Sequence, residues 1–427
     1  MRLPPAIVGS TEEVLRDILR FTGPADSTLS RYFREHPRLG GRERGVIAEA
    51  VYNMLRQRTV FVQLAESGSG PQMRRLALLS LAEFAGVDAI AGLSEQETEW
   101  LTRVMAFDRN SFPLATRANF PEWMLQRFIA QYGEDEAMQL IDALNRPASL
   151  DLRVNTLKAT VEEAEAALNF AGITFERTPF APLGLRLPKK PALQNMSMFK
   201  DGLIEVQDEG SQLLAQMLGA KRGEMVVDFC AGAGGKTLAL GALMRNTGRL
   251  YAFDISDKRL AKLKPRMARS GLSNVHPVLI AHENDAKVKR LAGKIDRVLV
   301  DAPCSGLGTL RRNPDVKWRM VATDIDELNV KQLSILAGAA RLVKPGGRLV
   351  YATCSLLAEE NEAIVEQFLA THADYVLVPA GEVLAEQKIE ALEMGDYLKL
   401  LPHQHHTDGF FAAVLERKKQ AEVIIEK

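Results

Sequence analysis

The sequence of 427 residues has only three cysteines, Cys230, Cys304 and Cys354. So few exclude a disulfide framework of the secreted kind, and a reducing cytoplasm is the expected location. No apolar run approaches the ~20 residues of a membrane span, so no membrane partner is expected. The opening Met1-Arg2-Leu3-Pro4-Pro5 leads into no apolar stretch like that of a secretory signal. Net charge is missing too: 54 Lys and Arg balance 54 Asp and Glu. That disfavours a wholesale polyanion binder, although the distribution of charge counts for more than its sum. No lysine occurs before Lys158. The basic stretch 31–58 therefore uses arginine alone: Arg31, Arg34, Arg38, Arg42, Arg44, Arg56 and Arg58, against Glu35, Glu43 and Glu49. Arginine suits phosphate forks, and genome base composition produces the same bias. No internal repeat or low-complexity tract is present. His403, His405 and His406 lack acid or cysteine partners at ligand spacing, so no metal site is expected.

What is present divides the chain in three. Residues 1–144 show helical apolar spacing, as in Val14, Leu15, Ile18 and Leu19 and in Val46, Ile47, Ala50, Val51, Met54 and Leu55. Ser10-Thr11-Glu12-Glu13 offers a cap before the first run. An all-α domain is expected. Residues 145–205 predict a small α+β linking module, with a strand at 150–154 and a helix at 161–171. From 206 to 420 strands and helices alternate. Strands are expected at 225–229, 250–253, 275–280, 297–300 and 347–352, with a late strand at 409–415. Helices fall between them. Such alternation predicts an α/β fold, a doubly wound, mostly parallel sheet. The charged run 416–422 should end it.

Ligands bind at the carboxyl ends of strands in such sheets. After the first core strand comes Cys230-Ala231-Gly232-Ala233-Gly234-Gly235-Lys236. It is not a nucleoside-triphosphate loop, because Cys230 stands where the first glycine is needed. Asp254 ends the next strand, where an acid accepts hydrogen bonds from ribose hydroxyls. An adenosine-type cofactor is expected; S-adenosylmethionine and a dinucleotide both satisfy this pattern. Asp285 follows the third strand and could hold the adenine side.

Asp301-Ala302-Pro303-Cys304-Ser305-Gly306 and Ala352-Thr353-Cys354-Ser355 follow the fourth and fifth strands. Two of three thiols thus sit where ligands bind. With a methyl donor, a thiolate could add to C6 of a cytosine and make C5 nucleophilic. A second acid/base group would then assist product release. Cys230, inside the glycine-rich loop, is better read as a small buried hydrophobe.

These residues resemble the NOL/NOP/Sun RNA cytosine-C5 methyltransferases. The resemblance runs through Arg153-Val154-Asn155-Thr156, Gln207-Asp208-Glu209-Gly210-Ser211, Cys230–Lys236, Asp254, the Asp301–Gly306 stretch, Arg312-Asn313-Pro314-Asp315, Thr353-Cys354-Ser355, Glu359-Glu360-Asn361-Glu362 and Asp408-Gly409-Phe410-Phe411. It covers about 150–415. Leu39, Arg42, Glu43, Arg44, Val51, Tyr52, Leu55 and Arg56 resemble the NusB-like helical RNA-binding domain carried by bacterial members that act on 16S ribosomal RNA. The resemblance implies a class I S-adenosylmethionine-dependent methyltransferase. Cys354 would attack C6 and Cys304 would aid release. Cys230, Ala231, Gly232, Ala233, Gly234, Gly235, Lys236, Asp254, Asp285 and Asp301 would hold the cofactor and line the site. Asp301 could also reach the base edge, and Lys236 could orient substrate or cofactor. Arg42, Arg44 and Arg56 are candidates for gripping RNA. The partner would be RNA, 16S rRNA before others, and the protein a monomer. Three positions depart from the family pattern: Ala233 and Ala358 replace prolines, and Asn284 precedes Asp285 where glycine is usual. The rivals are a transfer RNA or DNA cytosine-C5 methyltransferase, with Cys304 as nucleophile in the DNA case, and a non-catalytic RNA-binding assembly factor.

Overall fold

The computed structural model describes residues 2–419; positions 420–422 of the expected charged ending lie outside them. The described chain forms two compact units. One is the chain as far as Pro147 together with Thr309–Ala322; the other is Ala148–Gly308 and the chain from Thr323 on.

The first unit is helical. Val14, Leu15, Ile18, Ile47, Ala50, Val51, Met54 and Leu55 are all buried in its core, as their spacing predicts. The first helix, Pro5–Ile18, starts earlier than the expected cap. Pro5 explains this: its ring fixes a helical φ, and its missing N–H would be unsatisfied at a first turn anyway. Ser10 and Thr11 therefore lie inside the helix. Thr309–Ala322 joins this unit through side chains. Trp318 Nε1 donates to Leu55 O at 2.7 Å, and Lys317 Nζ donates to Asn145 Oδ1 at 2.6 Å.

The second unit holds two sheets. The smaller contains β1 (Leu150–Val154), β2 (Glu176–Arg177), β3 (Gly184–Leu187) and β4 (Ile204–Val206), antiparallel in the order β2-β3-β1-β4. The helix Val161–Phe170 covers it, opened by a capping box in which Thr160 and Glu163 satisfy each other's N–H groups.

The larger sheet contains β5 (Met225–Asp228), β6 (Arg249–Asp254), β7 (Val275–Leu279), β8 (Ile295–Asp301), β9 (Val343–Thr353), β10 (Tyr375–Val378), β11 (Leu398–Leu400) and β12 (Phe410–Arg417). Its order is β10-β12-β9-β8-β5-β6-β7, with β11 on β12. Strands β5 to β9 are parallel; β12 runs antiparallel to β9 and β10. Both faces are buried, as parallel sheets require. Successive residues alternate between two cores: Val226, Leu299, Val350 and Ala352 belong to one, and Val227, Val298, Val300 and Tyr351 to the other. Strands β10 and β11 were not expected. Each has four residues or fewer, too few for a periodic signal.

Candidate active site

The register of β8 on β9 pairs Asp301 with Ala352. Both strands therefore end at one level, and the loops beyond them meet. Gly308 lets them close: a Cβ there would lie 2.1 Å from Gly409 O and 2.8 Å from Cys354 O. Backbone hydrogen bonds of 2.8 Å join Gly308 to Cys354 and Gly409. The result is a Cys304 Sγ–Cys354 Sγ separation of 3.4 Å.

Both sulfurs line a cavity of about 530 Å³. Its wall includes Cys230, Ala231, Gly232, Ala233, Gly235 and Lys236 after β5, Asp254 and Ile255 after β6, His282 and Glu283 after β7, and Asp301. Gly234 turns the loop into the helix Gly235–Leu243 at a φ of 86°; a Cβ there would strike Leu263 at 2.1 Å. Asp254 anchors the loop: its carboxylate accepts from Gly232 N–H at 2.8 Å and Ser256 N–H at 2.7 Å. Ala233 lacks a proline's stiffness, but Arg266 Nη1 donates to its carbonyl at 2.6 Å, and Arg266 is itself held by Glu205.

Lys236 Nζ donates to Asp301 Oδ2 at 2.7 Å. Burial alone would ease the ammonium's proton off; the Asp301 carboxylate outweighs it, and the net direction is upward. The Cys304 thiol is pushed well above its ordinary range, first by its hydrogen bond with Cys354, then by burial and the negative charge of Cys354 and Glu360. Cys304 thus keeps its proton. Burial likewise raises the Cys230 thiol. Its side chain packs against the core containing Val298 and Val300, a structural part.

Asp228 ends β5 beneath this wall, only 1% exposed. Thr237 donates to its Oδ2 at 2.6 Å, while Oδ1 has no hydrogen-bond partner. Burial first, with Asp301 and Asp254 adding, raises it from 3.8 to about 7. The folded protein therefore holds a proton that the unfolded chain has released. This contribution to stability is full below pH 3.8 and is lost as pH rises through about 7. Asp228→Asn should remove that dependence. In thermal melts, the variant gains on the wild type as pH rises from about 5 to about 8; parallel curves would contradict the assignment.

Three expected site residues are placed elsewhere. Gly234 is not in the cavity wall, and neither is Asp285. Its carboxylate caps the short helix Ala286–Lys289, accepting from Lys287 N–H at 2.8 Å and Ala281 N–H at 2.9 Å. His282 and Glu283 of the same loop face the cavity instead. Arg56 is 6% exposed inside the helical unit, donating to Arg311 O at 3.4 Å and lying over Tyr52. It follows Leu55 at the end of an apolar helix face, and packing withdraws it from solvent. Arg42 is exposed; Arg44 is half-buried, donating to Leu39 O at 2.9 Å. Ile255, Ser211 and Lys331 of the wall were also missed. Ile255 had a signal, an apolar residue directly after the strand-end acid.

The sheet order, the glycine loop and the strand-end acid together define a class I S-adenosylmethionine-dependent methyltransferase. The cavity fits that cofactor in size, and Asp254 lines it.

Residues 215–416 match the family model described as 16S rRNA methyltransferase RsmB/F, and residues 120–194 match the RsmF/B-like ferredoxin-like domain. A probable ribosomal RNA small subunit methyltransferase B of Synechocystis is 34% identical over 95% of this chain and 98% of its own. Its Bacillus subtilis counterpart is 35% identical over 74% and 71%. Among solved structures, PH0851 superposes with a TM-score of 0.79 at 28% identity, covering 98% of this chain and all of that one. A methyltransferase homolog protein from Pyrococcus horikoshii gives 0.61 at 32% identity over 73% of this chain and all of its own. This chain belongs to the RsmB/F family of ribosomal RNA methyltransferases. Among the described residues, no helix is long and apolar enough to cross a membrane, and no group of three or more His, Cys, Asp or Glu is placed to hold a metal ion.

Proposed function

We propose that the protein methylates C5 of a cytosine in 16S rRNA through a covalent Cys354 adduct. The observation that carries this reading is the 3.4 Å approach of two thiols in the wall of the cofactor cavity. When bound, S-adenosylmethionine supplies an electrophilic methyl group on a sulfonium. Cys354 Sγ bonds to C6, and the C5–C6 π electrons make C5 nucleophilic. C5 would take the methyl as the donor's C–S bond breaks and a neutral thioether is left; a base then takes the C5 proton, and the Cys354 sulfur is expelled as the double bond re-forms. Cys304 serves this release. Lys236 and Asp301 line the same space, and in this reading Asp301 meets the base edge. The target cytosine must leave its stack to reach the cavity.

The same proposal makes Arg42 and Arg44 contacts to RNA backbone, with the protein acting as a cytoplasmic monomer. The test is transfer from labelled cofactor to small-subunit RNA, followed by bisulfite sequencing. One protected cytosine is expected. Label elsewhere on the RNA, or none, would overturn the reading. Arg42→Glu with Arg44→Glu should weaken RNA binding and flatten its salt dependence; an unchanged slope removes the arginines from the interface.

A further inference from the structure

We propose that Glu360 is the positioning residue that holds the two reactive sulfurs at their working separation. The inference rests on the two-cysteine reading above and extends it to a residue that touches neither sulfur. Glu360 lies in the turn Ala358–Glu360 and is fully buried. A carboxylate so placed must find donors or carry a heavy cost. It finds them on both cysteine loops. Oε1 accepts from Ser305 N–H at 2.8 Å, and Oε2 accepts from the Ser305 hydroxyl at 2.5 Å and from the Ser355 hydroxyl. Ser305 directly follows Cys304, and Ser355 directly follows Cys354. That side chain, together with a direct 3.1 Å contact between the Ser305 and Ser355 hydroxyls, joins two loops fifty residues apart.

The serines are themselves oriented. Ser305 Oγ accepts from Leu307 N–H at 3.5 Å, and Ser355 Oγ from Leu357 N–H at 3.1 Å. Each hydroxyl has a single proton, and both contacts with Oε2 are shorter than the 3.1 Å between the hydroxyls, so both protons go to the carboxylate. The carboxylate is held from behind. Gln332 Nε2 donates to Oε1 at 3.0 Å and also to Pro303 O at 3.0 Å. The Tyr351 hydroxyl donates to Glu360 O at 2.7 Å. The next residue, Asn361, completes the arrangement: it accepts from Thr353 Oγ1 at 2.6 Å and donates to Ser355 O at 3.1 Å. Asn361 thus shapes the Cys354 turn by itself, and Glu360 joins that turn to the Cys304 loop.

The experiment uses the full-length protein and phenylarsine oxide, whose arsenic bonds two neighbouring thiols with loss of water. Its affinity reads the sulfur separation without any methyl transfer. Glu360→Ala should weaken arsenical binding strongly. It should lower kcat by about 10²-fold, the usual cost of a misplacement near 1 Å, and leave KM for RNA and cofactor affinity unchanged. Glu360→Gln should restore much of the arsenical affinity, because its amide can still hydrogen-bond both hydroxyls. If Glu360→Ala does not fold, Ser305→Ala with Ser355→Ala decides, since it removes only the two hydroxyls and should show the same losses. A folded variant of either kind with wild-type arsenical affinity and kcat would overturn the proposal. A wild type that chelates the arsenical but methylates no cytosine would instead sink the functional reading and leave the positioning role standing.

Discussion

Cys354→Ala should abolish methyl transfer, lowering it by about 10⁴-fold or more, which corresponds to about 5.5 kcal/mol of lost transition-state stabilisation. Without a sulfur at that position the thiols left in the cavity wall, Cys304 and Cys230, are both held in their protonated form, and C5 of cytosine is too poor a nucleophile to attack unaided. The loss should fall in kcat. Alanine removes one atom from a partly exposed site, so folding and cofactor affinity should persist. Isothermal titration with the cofactor and labelled transfer to RNA separate the two effects. Retained transfer in this variant, with Cys304→Ala inactive, would make Cys304 the nucleophile and the enzyme DNA-type in mechanism.

Cys304→Ala should have a different consequence. Attack at C6 and methyl transfer need only Cys354, so both should proceed. Release should slow, by about 10²- to 10⁴-fold, the range lost with a positioned acid or base. The protein should then accumulate covalently on its RNA, as a complex that survives denaturing electrophoresis. Treating Cys304→Ala with RNA and cofactor and finding no such complex would remove the release role. The double variant should form none, because no nucleophile remains. The 3.4 Å separation underlies this contrast: one sulfur can be bonded to the base while the other is still close enough to act on the same ring.

Much of this site was legible before folding. Asp254 and Asp301 end strands, and strand ends can be read from short β-branched runs. Cys304 and Cys354 follow such runs. The glycines at 232, 234 and 235 mark the loop on their own. Other parts depend on packing that no local pattern records. Asp285 occupies the expected loop, yet its carboxylate turns to cap the next helix. Arg56 shares a helix with Arg42 and Arg44, but sits on the face that the unit buries. Thr309–Ala322 sits between stretches of the second unit in sequence and packs into the helical one, through contacts such as Trp318 with Leu55 that span more than two hundred residues.

The sequence by itself determined the alternation of strands and helices, and with it the edge of the sheet on which chemistry could occur. Side-chain period and glycine placement are local properties, and they suffice for that. The tertiary structure alone decided which groups meet. The distance between two sulfurs depends on strand register, on a glycine pinch and on a buried carboxylate reached from both loops. Those contacts join segments far apart in the chain, so their geometry exists only once the sheet has closed around them.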